Sequence, residues 1–189
     1  MDKIKQLSSF LIKIFNLLLV IIPVWIAMQW VFIDWFPFIK GLVAEGILGS
    51  PIQTPEGAIN LSQTKLNLLS RIVGLIGSTI GSLPLFLGLL ILKGLFKNYQ
   101  RGAIFVAENA QKYKYLGWLF FLEGLLIKSL SDMLVVLAVT LSNPPGHRFL
   151  TIGFGTPNLE DLFCGLLVIV ISWIMAEGHK IQEDQQFTI

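Results

Sequence analysis

Three ionisable residues, Glu123, Lys128 and Asp132, stand inside an otherwise apolar stretch at residues 115–141. The stretch is long enough to cross a bilayer. A charge at membrane depth costs roughly 2.5–3.5 kcal/mol on insertion scales, so such residues face other protein or a water-filled cavity. At about 100° per residue, Lys128 and Asp132 fall about 40° apart and are placed to pair, while Glu123 points about 180° from Asp132. The chemistry open to them is ion pairing, or recognition of a small molecule or ion at mid-membrane. Ser78 and Ser82, in another apolar stretch, add hydroxyls to such a polar site. Pro23 and Pro84 each interrupt an apolar stretch and free the carbonyl four residues earlier, at Leu19 and Ile80, which then needs another partner in lipid.

Familiar catalytic constellations are missing. There is no His-Glu-x-x-His, no Gly-x-Ser-x-Gly and no phosphate-binding glycine loop. The two histidines, His147 and His179, flank the apolar stretches on opposite sides, which excludes a haem held between them. No metal site and no cofactor are expected, and nothing points to an enzyme. The lone cysteine, Cys164, lies in an apolar run and is expected to be a small buried side chain.

The elements that must position these residues are membrane helices. Of 189 residues, 54% are hydrophobic and 14% charged, where a soluble domain carries about 25% charge. Mean hydropathy is +0.72. Four segments reach spanning length, at residues 10–33, 72–96, 115–141 and 162–179. The first is too long for a cleavable signal core and reads as an uncleaved span. Nine lysines and arginines (3, 5, 13, 93, 97, 101, 112, 114 and 180) fall on one side of this layout. Lys40, Lys65, Arg71 and Arg148 fall on the other. The positive-inside rule then places both termini in the cytoplasm. Trp25, Trp30, Trp35 and Trp118 are compatible with interfacial anchoring. The net charge of +2 is too small and dispersed for nucleic-acid binding.

The external connections are 34–71 and 142–161. In the first, residues 37–48 read as a short helix on the membrane surface, and Thr54-Pro55-Glu56-Gly57 as a turn. Ser62 is placed to cap a helix running into the second span. In the second connection, Asn143-Pro144-Pro145-Gly146 stops the third helix, and residues 148–154 read as a short strand with 57–61 as its partner. Small residues at Gly77 and Gly81 let another helix approach closely, either within the chain or from a second copy.

Two motifs lie on the cytoplasmic side, in the loop 97–114 and the tail 180–189. One runs Gly102-Ala103-Ile104-Phe105-Val106-Ala107-Glu108-Asn109 and on to Gly117-Trp118. The other runs Glu177-Gly178-His179 to Glu183-Asp184 and ends Phe187-Thr188-Ile189. Together they resemble the two signatures of a bacterial family of short four-span membrane proteins of unknown function. Val106 departs from that pattern, which has Ser or Thr there, so a capping box with the residue three positions on is lost. Glu108 or Asn109 is left to serve the first-turn amides. The resemblance implies a four-span fold and no established activity. It also implies a cytoplasmic regulator as partner, since some members are similar in being encoded beside small helix-turn-helix regulators.

Ile104, Phe105, Phe187 and Ile189 are apolar residues in polar surroundings. They either clasp the tail beneath the bundle or form a docking surface for a cytoplasmic protein, with Glu108, Asn109 and Thr188 beside them. The expected fold is an all-α integral membrane protein of one domain. It has four transmembrane helices, both termini cytoplasmic, and a small extracytoplasmic cap with a short β element. The expected setting is the bacterial inner membrane. The leading function is non-enzymatic: a regulatory or scaffolding protein that binds a cytoplasmic or membrane partner. The alternative is a small transporter or ligand-binding protein using the intramembrane charges.

Overall fold

A computed structural model of the chain describes residues 2–46 and 51–187. They form six α-helices and one β-hairpin: α1 (Asp2–Trp30), α2 (Pro37–Ala44), β1 (Ile52–Thr54), β2 (Gly57–Ile59), α3 (Leu68–Gln100), α4 (Ala107–Leu122), α5 (Lys128–Thr140) and α6 (Thr156–Phe187). Three helices are long and apolar enough to cross a membrane, at Lys3–Trp30, Leu68–Gln100 and Thr156–Gln185. Their apolar side chains point mostly outward: Phe10, Val20, Leu85, Leu87, Phe163 and Trp173 are all exposed. Small polar groups such as Ser8, Ser70 and Ser172 are buried instead. That inversion suits a helix whose surroundings are as apolar as its own side chains. Cys164 follows it. It is exposed on α6 rather than buried, because an apolar run in such a helix covers the outward face as well as the inward one.

Pro23 and Pro84 lie inside α1 and α3 without ending either helix. The expected third span is not one uninterrupted α-helix. A π-turn at Glu123–Ile127 separates α4 from α5. An i→i+5 turn breaks the 3.6-residue period, so the regular-helix bearing of Glu123 relative to Asp132 does not hold.

The chain divides into two compact units. The first comprises Met1–Ile21, Leu83–Leu125 and Gly155–Ile189. Within it α4 and α6 run antiparallel, with Gly124 beside Asn158 at one end and Phe105 beside Gly178 at the other. Their backbones come closest at Gly117 and Gly165. A methyl on Gly165 would meet Phe121 N at 2.6 Å and Gly117 O at 2.8 Å, and one on Gly117 would meet Ile169 N at 2.8 Å. Neither position admits a side chain. At the π-turn, the carbonyl of Gly124 accepts a bond of 2.9 Å from the buried Asn158 amide. Phe15 of α1 packs on Phe96 of α3, ring centres 5.7 Å apart.

The second unit comprises Ile22–Ser82 and Leu126–Phe154. Ile26, Trp30, Ile33, Val43, Leu61, Ala138 and Val139 form its core. Trp30 is therefore not an interfacial anchor. Its ring covers Gly74, where any side chain would collide with it, and its indole N–H donates to Ser78 Oγ at 2.7 Å. The Arg71 guanidinium caps the end of α1 by donating to the Trp30 and Val31 carbonyls at 3.0 and 2.9 Å, and it also pairs with Asp34. Gly77 and Gly81 are covered from within the chain, by Leu134 and Ser131 of α5. Ser131 Oγ donates to the Gly77 carbonyl at 2.9 Å.

Two local expectations are corrected here. Ser62 does not cap α3. It lies in a 3-10 turn, bonded to Asn60, and Asn67 takes the capping role by accepting from Ser70 N at 2.7 Å. Residues 148–154 form no strand, and β2 pairs instead with β1 across the turn 54–57, where Gly57 has φ 123. A four-residue turn brings that partner close with far less loop entropy to lose than a distant segment. The segment 149–153 runs back along α5: Thr140 Oγ1 accepts from Phe149 N at 3.1 Å, and Ser129 Oγ donates to the Gly153 carbonyl at 2.7 Å.

Candidate functional site

The α3–α4 loop is built from its own sequence. α3 ends in a reverse turn in which Gly102 N donates to Tyr99 O and Ala103 N to Asn98 O, both at 3.0 Å. This pair of bonds requires a left-handed residue between them, and Gly102 has φ 81. The loop would then expose the carbonyls of Ala103 and Ile104. Asn109 satisfies both: its amide N–H groups donate to each at 2.8 Å, and its Oδ1 accepts from Asn98 at 2.8 Å. Asn109 is fully buried. Its side chain thus serves the loop carbonyls, not the first-turn amides of α4, and Val106 leaves that turn without a side-chain cap.

Glu108 faces outward beside it. Lys112 donates to it at 2.6 Å and Asn98 at 3.1 Å. The hydrogen bond from Lys112, then that from Asn98, then the Lys112 charge hold its carboxyl below the ordinary value. Tyr99 and Tyr113 join their hydroxyls at 2.9 Å across the same turn. The glutamate-asparagine pair of the motif therefore has a mechanical role. It locks the loop onto α4.

The locked loop holds Phe105 over α6. A methyl on Gly178 would come within 3.0 Å of Phe105 Cδ1. His179 Nδ1 lies 3.3 Å from the Phe105 carbonyl, which can only accept, so Nδ1 carries the proton in that contact. The loop motif and the tail motif thus meet, but at Gly178 and His179. The contact expected with Phe187 and Ile189 falls outside the described side chains, as does Thr188. Ile104 is half-buried, and Phe105 is 46% exposed. Asn98 and Gly178 were not anticipated as site residues. The only sequence signal for Gly178 was its place at the head of the tail motif.

Ser78 is engaged by Trp30, and Ser82 Oγ donates to the Thr79 carbonyl at 2.9 Å. Lys128 and Asp132 stand one turn apart on α5, with Lys128 half-buried and Asp132 on its exposed side. In the first unit Glu123 lines a cavity of about 220 Å³ with Pro84, Gly88, Leu116, Phe120 and Asp161. Asp161, read from the sequence as part of a loop, lies on α6. Among the described residues no group of three or more His, Cys, Asp or Glu is arranged to hold a metal ion.

No curated protein and no solved structure matches the chain. The stretch that does match, residues 49–189, contains the locked loop, its seat on α6 and the glycines that bring α4 and α6 together, and by that match the chain belongs to the protein family of unknown function DUF2975.

Proposed function

We propose that this protein is a non-enzymatic adaptor of the bacterial inner membrane, with four spans and both termini cytoplasmic, that docks a soluble regulatory protein. One observation carries the reading: Phe105 is 46% exposed yet held in place by a loop whose carbonyls are tied to a buried asparagine. An exposed aromatic on a rigid support is the kind of anchor that binding surfaces use, since little side-chain freedom remains to be lost on association. Ile181, 53% exposed one turn beyond Gly178, extends the same apolar surface along α6. The nine-to-four distribution of lysine and arginine supports the orientation. The test is purification of the full chain in mild detergent, wild type against Phe105→Glu. A stoichiometric soluble partner that is lost from the variant, with melting unchanged, supports docking. An identical set of partners in both preparations overturns it.

A second reading, a small ligand-binding or transport protein, is favoured by the cavity beside Pro84. Its wall combines leucines and a phenylalanine with Glu123 and Asp161, the mostly apolar lining with a few polar groups that small-ligand sites share. Saturable binding of an alkylammonium ion that is lost in Glu123→Gln would favour this reading over the adaptor.

A further inference from the structure

Three exposed aromatic residues follow directly on the end of α1. Trp35 is 74% exposed, Phe38 76% and Phe36 46%. They are not loosely held. Phe32 packs edge-on against Trp35 and Phe36, with ring centres 6.0 and 6.4 Å apart. Pro37 opens α2 with its φ already suited to a helix. Val43, 3% exposed, fixes the inner face of α2 in the core, and Ile39 packs against the same core one turn earlier. At the other end, the Asn60 amide donates to the carbonyls of Val43 and Ala44 at 3.0 and 3.4 Å. α2 is thus clamped with Phe38 outward and the aromatics Trp35 and Phe36 just ahead of it.

Two further observations say what covers that side. The bonds from Arg71 to the Trp30 and Val31 carbonyls hold the start of α3 level with the end of α1. Leu68, 75% exposed, and Leu69, 56% exposed, therefore stand beside the end of α1, just before the aromatic residues, at the ends of two helices long enough to span. The charge in this belt is also set. Asp34 pairs with both Arg71 and Lys40, which ties two cations down beside the aromatics, while Glu45 stands exposed at the far end of α2. Amphipathic aromatics with adjacent cations are what the boundary between headgroups and acyl chains accommodates.

We infer that the Trp35–Phe38 segment, which leads into α2, is seated in the headgroup–acyl boundary of the lipid bilayer and fixes the depth at which α1 and α3 cross. This does not depend on the adaptor reading. The test places a fluorophore on Phe38→Cys, or on Glu56→Cys as an exposed reference, in a Cys164→Ser background in phospholipid vesicles. Nitroxides are carried near the headgroup or deep in the acyl chain, and iodide serves as the aqueous quencher. The shallow nitroxide should quench the label at position 38 more than the deep one, and iodide should quench it several-fold less than at position 56. Equal iodide quenching at both sites, with no effect of either lipid nitroxide, would overturn the inference. Protection that appears only at high protein-to-lipid ratio would also overturn it, by making a second copy the occupant. A label at Trp35→Cys keeps the test decisive if Phe38→Cys fails to fold.

Discussion

The ring of Phe105 packs on Gly178, and this contact joins the loop motif of the chain to its tail motif. A side chain at position 178 must share space with Cδ1 at 3.0 Å and Cε1 at 3.3 Å. Gly178→Ala needs a shift of only a few tenths of an ångström, whereas Gly178→Leu must displace the ring. The leucine variant should lose about 1–3 kcal/mol, the usual range for overpacking. Thermal melting in detergent reads this directly. Phe105→Ala should relieve much of the loss, so the double variant falls short of the sum of the singles.

Asn109→Ala should be among the most damaging single changes at this end of the molecule. It leaves the Ala103 and Ile104 carbonyls and the Asn98 amide without their common partner. Each buried group left unpaired costs about 1–3 kcal/mol. The loop should loosen first, so cleavage by trypsin at the exposed Arg101 should quicken before the melting temperature is reached. Asn109→Asp should fare no better, because a carboxylate cannot donate to two carbonyls.

Gly165→Val tests the crossing of α4 and α6. The built methyl already meets backbone atoms at 2.6 and 2.8 Å, and backbone cannot rotate away as a side chain can. Folded yield in detergent should collapse. Gly88→Ala is the matched control, since its methyl would meet only Leu116 Cδ1 at 3.4 Å, an ordinary contact. Equal yields from the two variants would show that the helices are not packed this closely.

Glu108 makes stability depend on pH in a defined direction. Its carboxyl is held below the ordinary value by hydrogen bonds from Lys112 and Asn98. The folded state therefore binds the proton less readily than the unfolded chain, and the stabilisation is present above the unfolded value of about 4.3. It is lost as pH falls through the lowered folded value. The melting temperature of the wild type should drop further between neutral and acid pH than that of Glu108→Gln. Parallel pH profiles would mean that the contact with Lys112 contributes nothing.

Orientation can be read with single cysteines at Glu56, Lys97 and Gln185 in a Cys164→Ser background. All three positions are exposed. With both termini inside, only position 56 should react with an impermeant thiol reagent in intact cells, and all three after lysis. Reaction at position 185 in sealed cells would rule out the four-span arrangement.

Length and apolarity alone were enough to place α1, α3 and α6, because a helix surrounded by lipid needs apolar side chains all round, and composition records that directly. The turn at Thr54–Gly57 was equally legible, since its geometry is set by the residues within it. Contacts between distant segments were not. Nothing in the spacing of the chain announces that Trp30 covers Gly74, that Gly117 meets Gly165, or that residues 149–153 run along α5 in place of pairing with 57–61. The same apolarity that reveals a membrane helix hides which of its faces is packed, so Cys164 looked buried from its neighbours and is exposed. Inside the third apolar stretch the charges were plain, but the π-turn at Glu123–Ile127 was not. A widened turn comes from a close approach, here that of α6 to Gly124, and only tertiary packing decides where such an approach falls.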